Sequence, residues 1–276
     1  MDQEHDAIPP LAQRRRWLAL AEQAARQAAL VVREGFGRPR NEGVHFKGEI
    51  DLVTDTDRRA EVVIRTVLDS VDALPILGEE EGGTTEGETL WVVDPIDGTT
   101  NFVHRLPHFA VSIGVWHRGA PLLGVVLDVM RNEMFRTDGD QAWLNDRPLE
   151  PLQPVRLADA LVVSGFAYDR RTNPDNNLDL WETFVLRARG ARRLGAASLD
   201  LSWVAAGRLD AYWEAQLKPW DFCAGAAVAR VAGARVSTWG GNPLPLQTAT
   251  VLCAHPELHE EMLGLIHTHR RFPLVD

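Results

Sequence analysis

Apolar residues recur at helical spacing from Leu11 to about Glu34, at Trp17, Leu20, Ala24, Ala28 and Val31, with Gly35 and Gly37 as stop signals. A second helix is predicted to start near Thr54, where Asp55 and Asp57 suit the positive end of a helix dipole and Ala60, Val63, Ile64, Val67 and Val71 face inward. After Pro75 the pattern changes. The runs LWVV (90–93), FAVSIGVW (109–116), PLLGVVLDV (121–129) and EMFRT (133–137) are rich in β-branched and aromatic residues and predict a first sheet. Arg118-Gly119, between two of these runs, predicts a hairpin turn and so a sheet that is antiparallel at least in part. NDRPLEPLQP (145–154) has turn composition and marks the expected boundary between an N-terminal half, residues 1–150, and a C-terminal half, residues 151–276. Beyond it, strand-like LVVS (161–164) and DAYWE (210–214) alternate with helix-like LDLWETFVLRAR (178–189), SLDLSWVAAG (198–207), DFCAGAAVARVAG (221–233) and PELHEEMLGLIH (256–267). That alternation predicts an α/β protein with helices layered on sheets.

Composition narrows the function classes. The 276 residues are 45% hydrophobic and 25% charged, enough to bury roughly three-quarters of the unfolded surface in one compact unit. Lys and Arg number 29 against 39 Asp and Glu, a formal charge of −10, which disfavours nucleic acid and anionic membrane as partners. The two cysteines, Cys223 and Cys253, fall in no C-x-x-C pattern and read more naturally as reduced, packed thiols, with a single structural disulfide as the alternative. No apolar stretch is long enough to span a membrane and the acidic start MDQEHDAIPP is no signal peptide, so the expected location is cytoplasmic. His255 and His259 have a zinc-like spacing without the H-E-x-x-H order, and a solvated helix face is expected there. Trp17, Trp181 and Trp203 fall on apolar helix faces and are expected in the core.

The candidate chemistry lies in LWVVDPIDGTTNF (90–102), where a buried-looking strand ends in Asp94, Pro95, Ile96, Asp97, Gly98, Thr99 and Thr100. Pro95 and Gly98 permit a sharp bend that points Asp94 and Asp97 toward a common centre. Carboxylates so placed, with the Ile96 carbonyl between them, suit a hard cation such as Mg2+, which takes few protein oxygens and leaves room for substrate phosphate. If Thr99 or Thr100 caps a short helix, its free N–H groups add an anion site beside the metal. Taken alone, the D-P-x-D-G run is equally a surface turn, the three glutamates of LPILGEEEGG (74–83) a solvated loop, and Asp221 a helix cap.

Together, DLVTDTD (51–57), GEE (78–80), WVVDPIDGTTNFVH (91–104), GRLDAYWE (207–214) and WDFCAG (220–225) resemble the inositol monophosphatase family, Mg2+-dependent and lithium-sensitive sugar phosphatases. The resemblance implies an αβαβα sandwich with two sheets between helix layers, a homodimer, and two or three Mg2+ ions. It implies one ion on Glu79, Asp94 and the Ile96 carbonyl, a second on Asp94, Asp97 and Asp221, and a third, weaker ion that also uses Glu79. Asp51 and the Thr99 hydroxyl would help activate the attacking water, Glu80 would orient the metal ligands, and Lys47 would sit on a loop near the metals. Gly98 and Thr99 would present N–H groups to the phosphate, while the backbone at Gly195, Ala196 and Ala197 and the Glu214 carboxylate would contact ring hydroxyls of the alcohol. The implied substrate is inositol 1-phosphate or a similar polyol phosphate, with histidinol phosphate, fructose 1,6-bisphosphate and nucleotide 3'-phosphates as alternatives. A regulatory protein that keeps the fold and binds RNA or protein is the alternative of another class. Arg192 and Arg193 face either a partner subunit, the substrate or solvent.

Overall fold

The computed structural model describes residues 8–37, 44–46, 52–71 and 74–273. Helix α1 (Leu11–Gly35) is followed by a small ribbon, β1 (Val44–Phe46) and β2 (Leu52–Thr54), and by α2 (Asp55–Leu68). The eight-stranded first sheet comprises β3 (Ile76–Gly78), β4 (Gly82–Gly83), β5 (Thr89–Asp97), β6 (Ala110–His117), β7 (Ala120–Asp128), β8 (Glu133–Thr137), β9 (Ala142–Leu144) and β10 (Arg147–Pro148), with the short α3 (Thr99–Val103) between β5 and β6. The second half supplies β11 (Leu161–Ser164), α4 (Leu178–Val185), β12 (Gly190–Arg192), α5 (Ala197–Ala205), β13 (Ala211–Leu217), α6 (Pro219–Val231), β14 (Arg235–Ser237), β15 (Ala249–Ala254) and α7 (Pro256–His269).

The first sheet runs β10-β9-β8-β7-β6-β5-β3-β4 and is antiparallel except where β3 lies parallel to β5. Arg118 and Gly119, at φ 45° and 80°, form the tight β6–β7 turn that the sequence predicts. The second sheet runs β12-β11-β13-β15-β14. Alternation along the strands sets the layers. On β5, Trp91 and Val93 pack with α1 and α2, whereas Leu90 and Val92 face α5 and α6. On β13, Tyr212 faces α5 and α6, and Trp213 joins α4 and α7 on the outer side. The result is five layers: α1 and α2, the first sheet, α5 and α6, the second sheet, then α4 and α7. Close approach of α6 to the first sheet needs Gly124, where a Cβ would overlap the backbone of Ala224.

Several expected details shift. The buried stripe of α1 is Trp17, Leu18, Ala21, Ala24, Ala25, Ala28, Ala29 and Val32, with Leu20 and Val31 only flanking it. Val71 lies past the end of α2 and is exposed. Helix α4 stops at Val185, short of the helix-like run, because the chain must turn into β12 at Gly190. His259 is buried, not solvated: its Nε2 meets Ser237 Oγ at 2.9 Å, and burial lowers its pKa to about 4. Cys223 and Cys253 are free and buried. Among the described residues no helix is long and apolar enough to cross a membrane.

Candidate active site

Four chain segments meet at one cavity of about 450 Å3. Strand β5 delivers Asp94, Ile96 and Asp97; the β5–α3 turn delivers Gly98, Thr99 and Thr100; the turn after β3 brings Glu79; and α6 brings Asp221. The far wall is Phe166 to Asp169, Arg193, Gly195, Ala197 and Glu214 to Lys218.

The local chain explains each placement. Strand β5 loses register against β6 between Asp94 and Asp97, which is where Pro95 interrupts the ladder. Asp94 Oδ1 then accepts from Ile96 N at 2.9 Å, closing the turn. Gly98, at φ 95°, starts α3 and lies so near Gly195, Ala196 and His108 that a Cβ would crowd all three. Asn101 ties the same contact from the other side, its Nδ2 donating to the carbonyls of His108 and Leu194 at 2.8 Å each. Asp221 stands in the first turn of α6 and accepts from Lys218 N at 2.6 Å, so it is a cap and a cavity-lining acid together.

The turn that follows Glu79 is held by a buried residue in α2. Glu61 accepts from the backbone N–H groups of Glu80 and Glu81 at 2.8 and 3.2 Å and from Arg65 Nε at 2.8 Å. Glu80 therefore sits on the supporting side of this turn, outside the cavity lining. Ala196 differs from its expected place: it is 1% exposed, its methyl turned in beneath Gly98, and the lining passes from Gly195 to Ala197. Lys47 and Asp51 lie outside the described residues.

The acids strain against one another. Burial first, then the charges of Glu79, Asp97 and Asp221, push the Asp94 carboxyl well above the usual carboxylate range. Asp221 is raised well above it by burial and by Glu79. Burial also raises Asp97, opposed by bonds from the Ser198 hydroxyl and the N–H groups of Ser198 and Ala197 at 2.5, 2.7 and 3.1 Å. Such a set gains most from a cation. Its donors are all oxygens, carboxylate plus the Ile96 carbonyl, which fits a hard divalent ion and not a thiolate- or imidazole-seeking one. Among the described residues no three acid, histidine or cysteine side chains already form a closed cage, so the fit rests on donor chemistry and mutual repulsion.

Asp57 is the residue that sequence reasoning left in a structural role. It caps α2, accepting from Thr54 N at 2.9 Å, and its other oxygen accepts from Thr99 Oγ1 at 3.2 Å. Burial raises its pKa to about 6, with Glu80 adding to the rise and the Thr54 and Thr99 hydroxyls opposing it. The spacing signal was present, since Asp57 belongs to the same DLVTDTD run as Asp51.

The αβαβα sandwich and its oxygen-only acid cluster beside a glycine-started helix, in a chain whose relatives are inositol monophosphatases, are those of a phosphatase, a phosphoric monoester hydrolase. The chain belongs to the inositol monophosphatase family, whose sequence profile matches residues 13–271. Members of this family are generally metal-dependent. An inositol-1-monophosphatase of Synechocystis is 38% identical over 251 residues, covering 89% of this chain and 87% of its own. The Nus factor SuhB of Pseudomonas aeruginosa is 39% identical over 260 residues, 91% and 96% of the two chains. The solved inositol monophosphatase of Anabaena superposes with a TM-score of 0.83 at 34% identity, over 95% of this chain and 98% of that one.

Proposed function

We propose that this protein hydrolyses a small polyol phosphate, inositol 1-phosphate or a near relative, with two or three Mg2+ ions. The observation that carries this reading is the convergence of Glu79, Asp94, Asp97 and Asp221 on the cavity that Thr99 and Glu214 also line. Glu79, Asp94, the Ile96 carbonyl, Asp97 and Asp221 would hold the metal. When bound, Mg2+ lowers the pKa of water and neutralises phosphate and leaving-group oxygens. The residues do the rest by position. Thr99, held by Asp57 and by the Ile96 carbonyl at 3.0 Å, keeps its hydroxyl beside the acids to orient a water, together with Asp51. Glu80 steadies the Glu79 turn through Glu61. The backbone of Gly98 and Thr99 faces the phosphate.

At the other end, Glu214 accepts hydroxyl hydrogens of the alcohol, and Gly195 and Ala197 border the same space. The two halves, 1–150 and 151–276, act as one catalytic unit, a homodimer in the cytoplasm inhibited by lithium. The regulatory reading draws on the Pseudomonas relative's description as a Nus factor, but a purely regulatory chain needs no complete acid set.

The test is phosphate release in Mg2+ from inositol 1-phosphate, histidinol phosphate, fructose 1,6-bisphosphate and adenosine 3',5'-bisphosphate. Preference for inositol 1-phosphate is expected. Preference for another member overturns the substrate, and turnover of none overturns the reading.

A further inference from the structure

Glu214 is held from beneath by two neighbours whose combined effect is to aim one carboxylate. Tyr212 is two residues back on β13 and therefore on the same face, fully buried, and its hydroxyl donates to Glu214 Oε2 at 2.7 Å. Against the other side of the carboxylate lies Gly165, at the end of β11. A Cβ there would overlap both carboxylate oxygens of Glu214. Gly165 is not among the residues with positive φ, so space alone, and not backbone conformation, requires glycine.

The backbone at Gly165 cannot retreat cheaply. Ser164 pairs with Trp213 in the parallel β11–β13 ladder, and its hydroxyl donates to the Trp213 carbonyl at 2.5 Å. Asn177, 2% exposed, donates to Ser164 Oγ and to the Gly165 carbonyl at 2.9 Å each, while its own Oδ1 accepts from Trp213 Nε1 at 2.9 Å. Gly165 and β13 are thus clamped to each other. A methyl group added at Gly165 must displace the Glu214 carboxylate, and loss of the tyrosine hydroxyl must let it turn.

We propose that Tyr212 and Gly165 are positioning residues for Glu214, so that selection among alcohols depends on this clamp as much as on the carboxylate itself. The proposal rests on the reading of Glu214 as the group that meets the alcohol. Its readout is the ratio of kcat/KM for inositol 1-phosphate to that for p-nitrophenyl phosphate, whose leaving group offers no ring hydroxyls. Glu214→Gln, Tyr212→Phe and Gly165→Ala are each expected to lower that ratio, roughly fivefold to tenfold. Tyr212→Phe should add nothing further in the Glu214→Gln background. If Glu214→Gln lowers the ratio but both Tyr212→Phe and Gly165→Ala leave it at the wild-type value, positioning is wrong while the reading of Glu214 stands. If Glu214→Gln leaves the ratio unchanged, that reading fails and the proposal with it. Should Gly165→Ala not fold, Tyr212→Phe decides alone.

Discussion

At the proposed phosphate end of the cavity, burial and neighbouring acids push Asp94 and Asp221 well above the usual carboxylate range, and burial raises Asp97; at the proposed alcohol end, Glu214 has a buried tyrosine hydroxyl on one oxygen and the charge of Arg193 nearby. The first set is short of positive charge and gains from a cation. The second has a hydrogen-bond donor and a cation at hand within the protein: burial pushes Glu214 up to about 7, the Tyr212 bond and Arg193 oppose that rise, and the charges of Asp200 and Asp97 add to it. The difference teaches a division of labour. Under the proposed function, rate would reside where charge is unbalanced and choice of alcohol where hydrogen bonds are already aligned.

Three substitutions press on that contrast, beginning with the largest expected effect. Asp94→Asn removes an acid central to the cluster and should lower kcat on every substrate by on the order of 10³-fold, leaving the ratio between alcohols unchanged. Steady-state kinetics on two substrates checks it, and a selective loss on one alcohol would dissolve the division. Asp57→Asn keeps the cap but weakens the hold on Thr99, and should cost roughly 10- to 100-fold in kcat, again for all substrates alike. Unaltered turnover would show that the 3.2 Å bond to Thr99 has no bearing on rate.

The smallest effect is on stability, far from the cavity. His259 is neutral in the fold with its pKa lowered to about 4, while the unfolded chain takes up the proton near 6.5. Its contribution is therefore present at neutral pH and is lost as pH falls from about 6.5 toward 4, by on the order of 2 to 3 kcal/mol. Asp57, raised to about 6, works in the opposite sense at acid pH, so the informative quantity is a difference. Urea denaturation of wild type and His259→Gln across this range should show the gap between them narrowing as pH falls, with kcat ratios unmoved. A constant gap would contradict a buried neutral imidazole.

The acid turn of the cavity was the legible part, because Asp94 to Thr99 lie in one contiguous run whose bend is dictated by Pro95 and Gly98. Strand runs were equally plain, EMFRT and LVVS matching β8 and β11 residue for residue. The alcohol end is assembled from β11, the β12–α5 connection and β13, so no local pattern announces that Gly165 makes room for Glu214, or that Ala196 turns inward. Asp57 and His259 were hidden for another reason: each fits a surface role by spacing, as helix cap or helix face, and only tertiary burial brings Asp57 to Thr99 and His259 to Ser237. Arg193, which sequence left between partner, substrate and solvent, lines the cavity.

The most direct measurement is phosphate release from inositol 1-phosphate after chelation, as Mg2+ is titrated back. Turnover is expected to vanish in chelator and to return saturably with added Mg2+. Turnover that persists undiminished in chelator would contradict that expectation.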